Sequence, residues 1–234
     1  MGWNCKPSGG YTIESAEGTE NINLYYTMFS VLTSVDNVVG QLCNVFAESG
    51  LNPWRWQGDS IATGYSNGYG LYQYTPGNSY INLTGVTGHS PNLSTSTVSG
   101  GAPSDARAQI YVFQDNTLGK WVSRCWRPYW NDDNTWSGTP LYPDLWAKRT
   151  HILNTYGDGT SLSMADFYTI NDIEDACFAF LACFEGPQVP NLTQRLANAT
   201  AIKNAIQPGP GPTPGSDIMY GGVRDVIRRL ILHA

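Results

Sequence analysis

The strongest constraint on how this chain folds is an apolar helical pattern that ends at an acidic residue followed by Ser and Gly. Thr33 and Asp36 match a capping box at the start of this pattern, and Gly50 suits a C-cap at its end. Glu48 lies in the last turn. The spacing of three and four residues predicts one amphipathic helix, with a buried face formed by Val35, Val38, Val39, Leu42, Val45 and Phe46.

Glu48 is thereby expected between packed side chains and a turn. A carboxyl group that is partly removed from water favours its protonated form, which suits a general acid near neutral pH. Glycosidases need such an acid to protonate the leaving oxygen of the sugar. Taken alone, Glu48 would more often be a surface carboxylate near a helix end. A second motif downstream favours the catalytic interpretation, and Glu48 is the predicted general acid.

The second motif is the run Gly68-Tyr69-Gly70-Leu71-Tyr72-Gln73-Tyr74-Thr75-Pro76. Alternating aromatic, Gly and polar residues from 54 to 75 predict a small antiparallel β element beside the helices. Glycines would let the backbone approach a sugar, the Gln amide can bond to its N-acetyl or hydroxyl groups, and Tyr rings suit pyranose faces. Alternation also predicts that half of these aromatic rings lie in the core. The predicted substrate-binding residues are Gly68, Tyr69, Gly70, Tyr72, Gln73 and Tyr74.

The two runs resemble the Glu-Ser-Gly-x-Asn-Pro and Gly-x-Gly-Leu-x-Gln signatures of the lysozyme and lytic transglycosylase superfamily. The resemblance is to the lysozyme-like domains of phage tail proteins, and it spans roughly residues 20 to 206. Further along, Gln109 or Gln114 matches the Gln of a family helix. Two later segments also match family motifs, in the same order along the chain. They are Phe180-Leu181-Ala182-Cys183-Phe184-Glu185-Gly186-Pro187 and Arg195-Leu196-Ala197-Asn198-Ala199. The chain departs from the pattern at Gly186, where Arg is commoner, and in the Ser/Thr/Gly segment from Thr84 to Ser104.

This resemblance implies an α+β, mainly α, lysozyme-like domain with a small antiparallel β element beside the catalytic cleft. It also implies a glycosidase that cleaves the glycan strand of peptidoglycan, carried in the tail of a phage virion and acting on the host cell wall during infection. The expected partners are peptidoglycan strands and other phage tail proteins. A wall-binding or structural tail module without turnover is the alternative from another functional class.

A second catalytic carboxylate is less sharply defined. Asp59 lies between the two motifs, where the resemblance implies an Asp on the opposite lip of the cleft, but Gly-Asp-Ser is also ordinary turn chemistry. If Asp59 is only a turn residue, Glu48 could act alone, as in lytic transglycosylases. Glu185 belongs to a family motif and is expected to cap its helix or to pair with Arg195 rather than to catalyse.

The amino-acid composition of the chain limits the classes of partner that it is expected to bind. The net charge of -6 argues against nucleic-acid binding, which needs clustered Lys and Arg. An acidic protein also gains no electrostatic attraction to anionic wall polymers, so tethering in a larger particle is favoured. No apolar run predicts a membrane-spanning segment, and no signal peptide is recognised at the N-terminus. The five Cys and three His residues lack metal-ligand spacing, so neither a metal nor a cofactor is expected.

Four segments are predicted along the chain. Residues 1–20 are an irregular polar arm, and 21–206 form the lysozyme-like domain. Residues 207–215 are a Pro/Gly linker. Residues 216–234 form a short amphipathic helix, which either docks on the domain or serves as a docking peptide or the start of another domain. Further helices are predicted within the domain. One starts near Asn23, one runs from Asp105 to Leu118, one follows Asn171 and ends at Phe184, and one follows Asn191.

Overall fold

In the computed structural model of the chain, the residues described are 3–60, 65–84 and 102–207. The predicted C-terminal helix, nearly all of the predicted linker and most of the segment from Thr84 to Ser104 lie outside them. Within the described ranges the fold is mainly helical, as the sequence predicts. Nine α-helices are present there: α1 Ala16–Phe29, α2 Val35–Ser49, α3 Gly77–Thr84, α4 Ala102–Gln114, α5 Pro143–Thr155, α6 Met164–Phe167, α7 Ile173–Phe180, α8 Leu192–Leu196 and α9 Ala199–Ala205.

Helix α2 is the centre of the fold. It packs most extensively against α7 and also touches α1, α8 and α9. At Gly40 an added Cβ would lie 2.7 Å from the Cβ of Ala176, so this glycine allows α2 and α7 to approach closely. Gly50 ends α2 in the left-handed conformation, with φ 57°, as predicted. Residues on every side of α2 are buried, which makes it a core helix rather than a surface one.

The start of α2 differs from the predicted capping box. Ser34 is the N-cap, and its hydroxyl accepts a hydrogen bond from the Asn37 amide at 3.2 Å. The Thr33 hydroxyl instead donates to the carbonyl of Tyr168 at 2.6 Å. The predicted cap is therefore displaced by one residue, because a tertiary contact uses the Thr33 side chain.

The N-terminal residues pack against the helices. Helix α1 begins at Ala16, capped by Ser15, ahead of residue 21, where the predicted lysozyme-like segment begins. Before the helix the chain is irregular, but Trp3 and Ile13 are buried in the core. Asn52 also donates hydrogen bonds from its side chain to the carbonyls of Lys6 and Gly9, at 2.9 and 2.7 Å.

The small β element is not confirmed. In its place the described residues contain isolated antiparallel bridges, which join Trp56 to Tyr69 and Tyr69 to Tyr74. Gly70 and Gln73 both have positive φ, at 82° and 45°, so the chain makes a tight turn where an extended strand was expected. The segment from 54 to 75 is therefore a folded loop.

The later helices shift by a few residues from their predicted bounds. Helix α4 ends at Gln114, before the predicted Leu118. Helix α7 is capped by Asp172, whose carboxylate accepts from the Asp175 amide, and not by Asn171. It continues as a single π-helical turn, Leu181–Glu185, which ends at Gly186. After Asn191 the chain forms two short helices, α8 and α9, instead of one. None of the described helices is long and apolar enough to cross a membrane.

Candidate active site

A polar cavity of about 210 Å³ opens beside the C-terminal end of α2. It has two walls, to which we give names. The helical wall is formed by Glu48 at the end of α2 and by Glu185 and Pro187, which follow α7. The loop wall belongs to the segment 54–75 and is formed by Arg55, Gln57, Gly58, Gln73 and Thr75. Of the predicted site residues, Glu48 and Gln73 line this cavity.

On the helical wall, Glu48 forms an ion pair with Arg195 of α8. The Nη2 of Arg195 donates to the Oε1 of Glu48 at 2.5 Å, and the two side chains are 9% and 23% exposed. The Nη1 of Arg195 donates to the Oδ1 of Asn44, and the amide of Asn44 donates to the carbonyls of Gly40 and Cys177. The guanidinium is therefore held by α2 itself. The sequence predicts a different pairing for Arg195, with Glu185, which the structure does not form.

Glu185 occupies a different environment on the same wall. Its Oε1 is buried and has no hydrogen-bond partner among the described residues. Burial, which takes the carboxyl group out of water, and the nearby negative charge of Glu48 together raise the pKa of Glu185 well above its usual value, although Arg195 and Arg127 act in the opposite direction. These effects favour the protonated form of Glu185, whereas Glu48 is held in an ion pair with Arg195.

Gly186 explains one departure from the family pattern. It has φ 55°, a conformation that favours glycine, and an added Cβ would lie 2.3 Å from the Nε of Arg127. Arg127 donates from Nε to the carbonyl of Ala182 and from Nη2 to that of Phe184, both at 2.9 Å. The side chain of Arg127 thus satisfies carbonyl groups at the end of the π-helical turn, and a larger residue at 186 would displace it.

The loop wall is held by a buried amide from α4. The Oε1 of Gln109 accepts from the Leu71 amide at 2.6 Å, and its Nε2 donates to the Pro53 carbonyl at 2.7 Å. Of the two Gln residues that the sequence leaves open, Gln109 is thus the one that joins both motifs. An added Cβ at Gly70 would lie 2.2 Å from this amide oxygen. The glycine makes room for Gln109.

Gly68 and Gln73 lie beside each other in this loop. Gly68 is buried, and an added Cβ would meet the hydroxyl of Thr75 at 2.8 Å, so it too makes room for protein atoms rather than for a ligand. The Nε2 of Gln73 donates to the carbonyls of Arg55 and Gly70, both at 3.0 Å. These bonds hold the Gln73 side chain at the cavity.

The three tyrosines of the second motif are buried. Tyr69, Tyr72 and Tyr74 are 0%, 2% and 3% exposed, so their rings belong to the core and are not free to stack on a sugar. The Tyr72 hydroxyl contacts that of Tyr25 at 3.0 Å, and the Tyr74 hydroxyl donates to the Gln109 carbonyl at 2.9 Å. The prediction that half of the aromatic residues are core underestimated their burial, because the turn at residues 70–73 brings all three rings inward.

Asp59 lies outside the cavity lining. It has φ 52° in a 3₁₀ turn, Gln57–Asp59, and its side chain is 37% exposed. Its Oδ1 accepts from the Gly9 amide at 2.6 Å and lies 3.4 Å from the Nε of Arg55. These contacts fix the N-terminal residues to the loop wall and match the alternative interpretation of Asp59 as a turn residue.

Within the described ranges, no group of three or more His, Cys, Asp or Glu side chains is arranged to hold a metal ion. All five cysteines are free thiols, and Cys43 of α2 is buried.

Comparison with known proteins places this site in a family. Residues 24–206 match the phage tail lysozyme family. The match begins within α1 and ends just after α9, so it includes both walls of the cavity. No curated protein matches the chain. Because the family match covers most of the sequence, the chain belongs to the phage tail lysozyme family.

Proposed function

We propose that this protein is a glycosidase that cleaves the glycan strand of peptidoglycan, with Glu48 as the general acid. We further propose that it works in the tail of a phage particle, on the wall of the host cell. Family membership supports a lysozyme-like, wall-degrading role. The observation that carries the assignment of residues is that Glu48 and Gln73, the acid and the amide of two distant motifs, line one polar cavity.

The chemistry follows from this arrangement. Glu48 would donate its proton to the glycosidic oxygen as the bond to the sugar breaks. Gln73 would contact hydroxyl or N-acetyl groups, since its side chain is already held at the cavity by two backbone carbonyls. The guanidinium of Arg195 would stabilise Glu48 once it has lost its proton.

A lytic transglycosylase reaction is the second candidate. A retaining hydrolase needs another carboxylate about 5 Å across the sugar from the acid, and an inverting one needs roughly 6.5 to 9.5 Å. Asp59, the predicted second carboxylate, is engaged by Gly9 and Arg55 and does not line the cavity. This placement favours a reaction in which Glu48 acts alone and a group of the substrate completes the cleavage.

The test compares wild-type protein with Glu48→Gln on purified peptidoglycan. Glutamine has a similar shape but cannot donate the proton, so we expect the lytic rate to fall at least about a thousandfold with the melting temperature little changed. Glu14→Gln is the matched control, because Glu14 is exposed and remote from the cavity lining. Near-wild-type lysis by Glu48→Gln would contradict the assignment.

Mass spectrometry of the released muropeptides then separates the reactions. Products with reducing ends indicate hydrolysis, and anhydro-muropeptides indicate transglycosylation. Binding to the wall without any released product would instead support the structural module that lacks turnover.

A further inference from the structure

On the helical wall, the carboxyl groups of Glu48 and Glu185 both line the cavity. The guanidinium of Arg195 pairs with Glu48. Arg195 uses Nη2 for Glu48 and Nη1 for Asn44, while its Nε is buried without a partner among the described residues. The Oε1 of Glu185 is likewise buried and unpartnered there. The ion pair therefore satisfies only one of the two carboxyl groups.

The other groups around Glu185 leave its Oε1 without a hydrogen bond. Arg127 is positive and favours the ionised carboxyl, but its Nε and Nη2 donate to backbone carbonyls at the end of the π-helical turn. Burial and the negative charge of Glu185 raise the pKa of the Tyr25 and Tyr74 phenols, so both stay neutral. On the loop wall, Arg55 is paired with Asp59. Ionising both Glu48 and Glu185 would thus place two negative charges in a partly desolvated site, where Arg195 is bonded to Glu48 and the Oε1 of Glu185 has no hydrogen bond.

We propose that Glu185 is a positioning residue that retains one proton within the carboxyl pair it forms with Glu48, and thereby supplies Glu48 with the proton that cleavage consumes. This rests on the proposed glycosidase function. Coupled carboxyl groups titrate as a pair, and one of them stays protonated over a wide pH range. The free protein holds the proton on Glu185, and exchange through the shared cavity gives ionised Glu185 and protonated Glu48.

Each proton in the proposed reaction is accounted for. The O–H bond of Glu48 breaks and its proton goes to the glycosidic oxygen, which takes the electron pair of the breaking C–O bond. The water or sugar hydroxyl that completes the reaction loses a proton, and that proton returns to the carboxyl pair. After one turnover the pair again holds one proton, and no further reactant is needed.

The first test is the pH profile of Glu185→Gln. Its amide removes both the proton and the charge of Glu185, so Arg195 then acts on Glu48 alone. We expect the alkaline limb of the kcat/KM profile to move at least about one pH unit towards acid, with the rate at the acidic optimum within about threefold of wild type. Glu185→Asp should restore part of the shift, and Glu14→Gln should show none.

Three outcomes of that profile would overturn the proposal. An equal loss of rate at every pH would indicate a structural role. A loss as complete as that of Glu48→Gln at every pH would mean that Glu185 itself touches the substrate. An alkaline limb that coincides with that of wild type would show that Glu185 does not set the proton supply.

The second test does not depend on activity. Carbon-13 NMR of wild-type protein labelled at the Glu side-chain carboxyl follows the titration of each glutamate. We expect one carboxyl signal to titrate well above the usual range of Glu, and to be absent from Glu185→Gln. If all glutamates of the wild type titrate in the usual range, the carboxyl pair does not exist, whatever the muropeptide products show. If one glutamate titrates well above the usual range but the protein cleaves no peptidoglycan, the proposed function is contradicted while the carboxyl pair is supported.

Discussion

The two walls of the cavity are built in different ways. The helical wall takes its carboxyl groups and its guanidinium from α2, α8 and the π-helical turn that follows α7, and these are brought together by helix packing across the whole domain. The loop wall has only isolated bridges of its own and depends on the Gln109 amide for its shape. The ionisable groups at the cavity are therefore placed by the core, while the opposite face is shaped by one buried side chain.

This difference makes the walls respond differently to substitution. On the helical wall, polar groups face the cavity, so changes there should alter the reaction. Behind the loop wall, the Tyr72 and Tyr74 hydroxyls and the Gln109 amide are buried, so changes to these residues should alter stability first. Substitutions in each wall can therefore test whether the two walls differ in this way.

The largest effect on stability is expected from Gln109→Leu. Leucine keeps the apolar volume but leaves the Leu71 amide and the Pro53 carbonyl unpaired in the core. Each such group costs about 1 to 3 kcal/mol, so the free energy of unfolding should fall by about 3 kcal/mol. Urea denaturation followed by tryptophan fluorescence measures this change.

Gln114→Leu is the control for that variant. Gln114 lies on the same helix, half-buried, and donates a single hydrogen bond to the Met28 carbonyl at 3.1 Å. Gln114→Leu should therefore lower the free energy of unfolding by about 1 kcal/mol. Equal losses for the two variants would show that Gln109 does not have a special role in joining the motifs.

A smaller loss of stability, with a larger change in activity, is expected from Arg195→Met. Methionine removes the donors to Glu48 and Asn44. Breaking a fully buried ion pair costs about 3 to 5 kcal/mol, but Glu48 remains 23% exposed and can be solvated, so we expect about 2 kcal/mol. The lytic rate should fall about tenfold or more, because a mispositioned acid loses its alignment with the substrate.

Lys203→Met provides the matched control. Lys203 pairs with Asp36 at the other end of α2, at 2.7 Å, but the pair is exposed. Its removal should cost less than about 1 kcal/mol and leave the lytic rate unchanged. If Arg195→Met retained wild-type activity, the helical wall would not depend on this ion pair.

The sequence predicted the helical wall better than the loop wall. Helix α2 and its end at Gly50 follow from local spacing and from a glycine cap, which are visible within a short stretch of chain. The tyrosines were misplaced because alternation was interpreted as a strand, whereas Gly70 and Gln73 adopt positive φ and form a turn.

The ion pair at the site could not be predicted from local patterns. Arg195 is 147 residues from Glu48, and only the packing of α8 on α2 brings them together. The sequence motif placed Glu185 near Arg195 along the chain and suggested that they pair. In the folded protein Arg195 faces the end of α2, and the Oε1 of Glu185 has no hydrogen-bond partner among the described residues.

The smallest effect is expected from Asp59→Asn, which tests the loop wall directly. The side-chain carbonyl of the introduced asparagine would still accept a hydrogen bond from the Gly9 amide, and asparagine tolerates the positive φ of this position better than most residues. Only the exposed ion pair with Arg55 is lost, so the free energy of unfolding should change by less than about 0.5 kcal/mol. Lytic activity should stay within about threefold, because Asp59 does not line the cavity. A loss of about a hundredfold at unchanged stability would contradict the single-acid reaction. It would require the loop wall to bring Asp59 towards Glu48 when substrate binds, and both walls would then contribute to the chemistry.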